Sequence, residues 1–332
     1  MFSRFSARYR AGLCALLMIA ASPALAGECD ALFPDLACKD REARPEGSVM
    51  PMSFPYLFED PYITSGLNAV GIYHGFPNSS VFAGGKIGVI ALQARLAITD
   101  RLAFIATKDG FGWVDSDNPV IGDSNGFFNI TAGLKYAVWQ WEGDGASAIL
   151  SPSLRYEIPL GQKDVYQGND SGAIIPALSG GYHNDGWNVI GDLGGQAGLD
   201  ENKSTSSIFY NLHLSHAFPL DQWRIRFLVP FIELNGLHYV RSGDGSRKIN
   251  SRLGTIRLKT GTNALGLRPF EGVDVANLGA DSIAGGDLVT MAWGLRLPLD
   301  NALSLGASYE RPLSNRKDIW EERVTVMLTW EL

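Results

Sequence analysis

The last ten residues, Arg323 to Leu332, alternate between two kinds of side chain. Val324, Val326, Leu328, Trp330 and Leu332 share one parity, while Arg323, Thr325, Met327, Thr329 and Glu331 share the other. Successive side chains of a strand point to opposite faces, so this stretch has one apolar and one mostly polar surface. Ten residues also match the about 9–11 that a tilted strand needs to cross a hydrocarbon layer. A final strand of this kind leaves a sheet edge, and closure against the first strand removes it.

From Gly66 onward the chain repeats this pattern. Twelve strand-like runs are expected near 66–76, 87–98, 102–108, 127–141, 146–160, 172–182, 187–198, 207–219, 223–240, 287–298, 302–311 and 323–332. Short connections with turn chemistry lie near Thr99–Arg101, Glu142–Gly145, His183–Gly186, Leu220–Gln222 and Leu299–Asn301. Long ones lie near 77–85, 109–126, 161–171, 199–206, 241–286 and 312–321, so short and long alternate. That sorting predicts an all-β fold: a transmembrane, antiparallel, up-and-down β-barrel of about 12 strands in a bacterial outer membrane, in contact with its lipids.

The faces agree. Leu134, Tyr136 and Val138, with Phe128, Ile130 and Ala132, oppose Asn129, Thr131, Gly133 and Lys135. Val289 to Leu297 oppose Thr290 to Arg296, Leu303 to Tyr309 oppose Ser304 to Glu310, and Ile208 to Leu214 oppose Asn211, His213 and Ser215. One run resists: Trp223, Ile225, Phe227, Val229 and Phe231 share a parity with Glu233 and Asn235, and a bulge near Pro230 is expected to restore the register. Tyr136, Tyr182, Phe218, Trp223 and Trp330 fall near the short-turn ends, and Phe128, Tyr156, Tyr210 and Tyr309 near the long-loop ends, as two aromatic girdles would.

Residues 1–26 read as a signal peptide: Arg4, Arg8 and Arg10, an apolar run, then Ala24-Leu25-Ala26. The rest holds 25 basic against 35 acidic residues, which argues against a nucleic-acid partner. Cys29 and Cys38 are expected to form a disulfide in an oxidising compartment. Residues 27–65, broken by Pro34, Pro45, Pro51, Pro55 and Pro61, read as a periplasmic N-terminal arm, either folded into the barrel as a plug or a disordered leader; 66–332 are the barrel.

The inward parity carries Arg95, Lys135, Arg155, Glu157, Asp192, His213, Arg296, Glu310 and Arg323. Such residues would line a pore and tune what passes, or pair with one another and fill the interior. His213 and Ser215 resemble the His and Ser, two apart, of the twelve-stranded outer-membrane phospholipases, but here they face inward and no Asn or Asp orienter is identifiable. Asp115-Ser-Asp117-Asn118 opens like a calcium loop without the later glycine and glutamate. The loop 241–286 carries Arg241, Arg247, Lys248, Arg252, Arg257 and Lys259, suited to acidic headgroups or anionic solutes, or simply to water. No metal ligand set, cofactor motif or catalytic residue is expected.

Phe58-Glu-Asp-Pro61, Ala91-Leu-Gln-Ala-Arg-Leu96, Thr99-Asp-Arg-Leu102, Ala106-Thr-Lys-Asp-Gly110 and Gly133-Leu-Lys-Tyr136 resemble a group of uncharacterised bacterial outer-membrane barrel proteins. The chain is similar to transporters linked with meta-pathway phenol degradation and, distantly, to long-chain fatty-acid channels. The resemblance implies an outer-membrane location, handling by the barrel assembly machinery, and passage of a small solute, apolar or aromatic. It assigns no catalytic residue. Leu332 stands where such barrels usually end in an aromatic residue. The competing expectations are a lipolytic enzyme and a structural barrel with a packed interior.

Overall fold

The structure is a computed structural model that describes residues 44–167, 171–200, 204–243, 248–252, 254–257, 283–299 and 302–332. The signal segment, Cys29 and Cys38 lie outside the described residues, as do Arg247 and Lys259.

In chain order the strands are β1 (Gly66–Gly75), β2 (Gly85–Ala97), β3 (Leu102–Lys108), β4 (Phe111–Ser116), β5 (Ser124–Phe127), β6 (Ile130–Tyr136), β7 (Trp139–Gly143), β8 (Ala146–Ile158) and β9 (Ala173–Asn184). They continue as β10 (Trp187–Gly198), β11 (Ser206–His216), β12 (Phe218–Gln222), β13 (Ile225–Arg241), β14 (Lys248–Ser251), β15 (Gly254–Arg257), β16 (Asp287–Pro298), β17 (Leu303–Pro312) and β18 (Glu322–Glu331). Twelve of these are staves, each antiparallel to its neighbours, and β1 pairs with β18 from Gly66↔Glu331 to Gly75↔Glu322 to close the barrel. β4 continues the stave that begins with β3, and β5 leads into that of β6; β7 and β12 extend the hairpins of β8 and β13; β14 and β15 pair apart from the barrel.

Alternation places the side chains. On β18, Val324, Val326 and Leu328 face outward and exposed, while Arg323, Thr325, Met327 and Thr329 are buried inside. On β11, Ile208, Tyr210, Leu212 and Leu214 are exposed against buried Asn211, His213 and Ser215. An apolar exterior over a polar interior is the reverse of a water-soluble barrel. Some staves are braced by an aromatic ring lying over a glycine of the next strand. Tyr210 covers its partner Gly236 on the outer face and Phe209 covers Gly194 on the inner, at positions where a Cβ would collide with the ring.

The sequence expectations needed four corrections. No bulge forms at Pro230: β13 pairs without a break from Val229↔Arg296 to His238↔Asp287, and Val229 and Phe231 point inward together with Glu233 and Asn235. They can do so because material inside the barrel gives them something apolar to touch. Phe128 is buried rather than belt-like, because the chain breaks between β5 and β6. The run 109–126 is not all loop: Asp109 Oδ1 accepts from the Leu92 amide at 2.8 Å, Gly110 takes φ +117°, and the stave resumes as β4. The turn placed at Leu220–Gln222 falls instead at Trp223–Arg224, with φ +53° and +67°. Asp144–Gly145 and Asp185–Gly186 make the same left-handed pair with residues suited to it. Trp223 is not, and stands 90% exposed at the tip.

Residues 44–65 fill the lumen. The segment enters at the short-turn end, where Arg44 bonds Glu331 at 3.1 Å, and reverses at Phe54, whose carbonyl accepts from the amides of Leu57 and Phe58 at 3.0 Å. It returns to the same end, where the Leu332 amide bonds the Ser65 carbonyl at 2.8 Å. At the opposite mouth the described loops pack on one another. Phe76 stacks on Phe82 at 4.2 Å, Phe82 meets Tyr166 at 5.4 Å, and Asn118 Nδ2 donates to the Val81 carbonyl at 2.7 Å.

Candidate functional site

A segment without strand pairing leaves its amides and carbonyls unmet, and buried backbone groups need partners. The inward side chains of the barrel supply them. Arg155 donates to the carbonyls of Tyr56 and Leu57 at 2.9 and 3.1 Å. Gln93 donates to the Pro55 carbonyl at 2.6 Å, Ser151 to that of Pro61 at 2.6 Å and Asn188 to that of Val49 at 3.1 Å. Asp192 accepts from the Glu59 amide at 3.0 Å. Glu233 accepts from the amides of Met52 and Ser53 at 2.9 and 2.6 Å.

The plug carries charges of its own. Arg95 grips Glu59 with two bonds, at 3.0 and 2.9 Å, and Lys135 reaches the same carboxylate at 3.0 Å and the Asp60 carbonyl at 2.6 Å. Burial alone would push the Glu59 carboxyl upward, but the cations of Arg95 and Lys135 outweigh it and hold it at about 2. Arg44, itself of the plug, clasps Asp60 at 2.9 and 2.7 Å and so ties the entering limb to the returning one.

All nine inward candidates are buried within the barrel. Arg95, Lys135, Arg155 and Asp192 touch the plug directly. His213 acts through Glu233, 2.7 Å away. Three others brace the wall: Glu157 with Lys108 at 2.7 Å, Glu310 with Asn235 at 2.9 Å, and Arg323 over the Trp320 ring at 3.6 Å. Arg296 stands apart, since among the described residues it bonds only Thr329 Oγ1 at 2.9 Å and Met327 Sδ at 3.0 Å.

Sequence reasoning missed Glu233 as a partner. The signal was present, because a glutamate on an otherwise apolar parity has to find company inside. Its oxygen lies on His213 Nδ1, and His213 Nε2 lies 2.9 Å from Ser215 Oγ, so acid, imidazole and hydroxyl stand in line. With Nδ1–H donated to the carboxylate, Nε2 is left to accept from the serine. All three side chains are buried.

Comparison with known proteins agrees with the geometry. Residues 66–228, just under half of the chain, match the model of a family described as "Putative MetA-pathway of phenol degradation". The fold is shared with an outer membrane channel from Pseudomonas putida F1, at 12% identity and TM-score 0.50, over 86% of this chain and 100% of that one. This protein is an outer-membrane β-barrel. Two weaker likenesses are the β domain of the Bordetella autotransporter BrkA (10% identity, TM-score 0.44, 81% and 100% covered) and LpxR from Salmonella typhimurium (11%, 0.41, 80% and 100%). No curated protein matches the sequence. The site in this outer-membrane barrel is an N-terminal segment held by side chains that line the lumen.

Proposed function

We propose that the protein passes a small solute across the outer membrane through a lumen that the plug of residues 44–65 closes in the state described. The observation that carries this reading is the manner of docking. The plug is held by side-chain hydrogen bonds and ion pairs and adds no strand to the sheet, so it can leave without breaking a stave. Arg95, Lys135, Arg155 and Asp192 then act twice, as latch when the plug is docked and as pore lining when it shifts, and the other five inward residues join that lining.

The test compares the full-length mature protein in planar bilayers with two variants. One replaces residues 50–62 by a Gly/Ser linker. The other joins Ser53→Cys to Asn235→Cys, whose native side chains touch at 2.8 Å, with Cys29 and Cys38 changed to Ser. The linker variant is expected to conduct steadily, and the oxidised pair to stay shut until reduced. A folded barrel that conducts in neither form sinks the channel reading and leaves the packed structural barrel.

The alignment of Glu233, His213 and Ser215 favours a second reading, ester hydrolysis by a serine that plug withdrawal uncovers. Hydrolysis of a short acyl ester by the linker variant, abolished by Ser215→Ala, would support it. No hydrolysis in an open barrel removes it.

A further inference from the structure

At the short-turn end a cavity of about 300 Å³ lies between the plug and the barrel wall. That is at the lower end of the about 300–1,000 Å³ typical of small-molecule sites. Its walls are mostly apolar, from Val49, Met50 and Ile63 of the N-terminal segment and Phe227 and Leu303 of the barrel. Five charged side chains line it. Arg44 is paired with Asp60 and Glu331, and Arg226 with Glu46. Leu332, which also lines it, is half exposed at the rim and makes no ion pair among the described residues.

The fifth is Arg296, which is 1% exposed. A buried guanidinium normally faces a carboxylate, because desolvating the charge is costly unless a counter-charge offsets it. Among the described residues Arg296 makes no ion pair, and Glu233 and Glu331 attract it only from farther off. One nitrogen is spent on a threonine hydroxyl and another on the thioether of Met327, a weak acceptor, and Nε meets no acceptor. The Thr329 hydroxyl is likewise spent on a thioether, that of Met50, at 3.7 Å. Two good donors therefore stand side by side on sulfur atoms, at the wall of a mostly apolar cavity whose other charged side chains are paired.

We infer that this vestibule binds a small monoanion with an apolar body, its charged end on Arg296 and Thr329 and its body against the apolar wall. Such a ligand supplies the counter-charge that Arg296 lacks and an acceptor that both donors prefer to sulfur. The inference names the solute class for the passage proposed above and rests on that reading. The ligand would also touch Val49 and Met50, and so would meet the plug at its base.

The test uses three molecules with one body: hexanoate, 1-hexanol and hexylammonium. Each is titrated by calorimetry into the folded full-length protein in detergent at neutral pH. Hexanoate is expected to bind best, and Arg296→Met to weaken it about tenfold or more. Arg296→Lys should recover part of the affinity, and Lys86→Gln, at an exposed cation of the loop end outside the cavity, should leave it unchanged. Equal binding of hexanol or hexylammonium to the native protein overturns the proposal, and that comparison needs no variant to fold. So does full hexanoate affinity in Arg296→Met, or its loss in Lys86→Gln. A barrel that binds hexanoate through Arg296 yet never conducts keeps the site and loses the channel; one that conducts without charge preference does the reverse.

Discussion

The plug and the loop mouth are held by different physics. Along the plug, from the short turns to its reversal, the contacts are charged and polar: Glu59 between Arg95 and Lys135, Glu233 on two amides, Arg155 on two carbonyls. At the loop mouth they are aromatic: Phe76 on Phe82, Phe82 on Tyr166, and Trp320 against His74 at 5.0 Å. Aromatic packing is lost gradually as contacts are removed, whereas a buried ion pair depends on the charge of each member. The plug is therefore the part that protons or an ionic ligand are expected to release, and the mouth answers to packing.

Trp320 joins the two regions, for it also meets Phe54 at the plug's reversal, 5.9 Å away, and carries Arg323 on its face. Trp320→Ala is expected to have the largest effect, about 3–5 kcal/mol, and to raise hydrogen exchange in both the mouth loops and the plug. Exchange confined to the mouth would show that the regions are independent. Glu59→Gln comes next. It leaves Arg95 and Lys135 without their shared counter-charge, so plug docking should weaken by about 3 kcal/mol while the mouth loops stay protected. The readouts are open time in bilayers and protease cutting of the N-terminal segment.

Acid should act in the same direction. The docked Glu59 carboxyl is held at about 2, below its ordinary 4.5. Its contribution is fully present above 4.5 and is lost as the pH falls toward 2, because the released plug takes up a proton that the docked plug refuses. Open time should rise across that window, and in Glu59→Gln this part of the pH response should vanish. The smallest effect is expected from Glu46→Gln, which breaks the exposed pair with Arg226 and should change docking by less than about 1 kcal/mol. A larger change would mean that the surface of the vestibule contributes to the latch.

Parts of this arrangement were legible from the sequence. The period-two pattern of Val324 to Leu332 set the strand, its length and its faces. The alternation of short and long connections then oriented every stave, since both are local properties of the chain. The inward direction of Arg95, Lys135, Arg155 and the other candidates followed from parity alone. The sequence also kept the plug open as one alternative for residues 27–65.

What only the tertiary structure decided is which inward residue meets which. Strand stagger and barrel closure set the height of each side chain in the lumen, and no local pattern encodes them. This is why Glu233 looked like an error of register until Met52 and Ser53 were seen on its carboxylate, and why a bulge seemed necessary at Pro230. It is also why Arg296, on parity one charge among nine, emerges as an inward arginine to which the plug brings neither an acid nor a carbonyl. A strand's alternation reports which face a residue occupies; its partner is chosen by segments far away in the chain that closure brings to the same level.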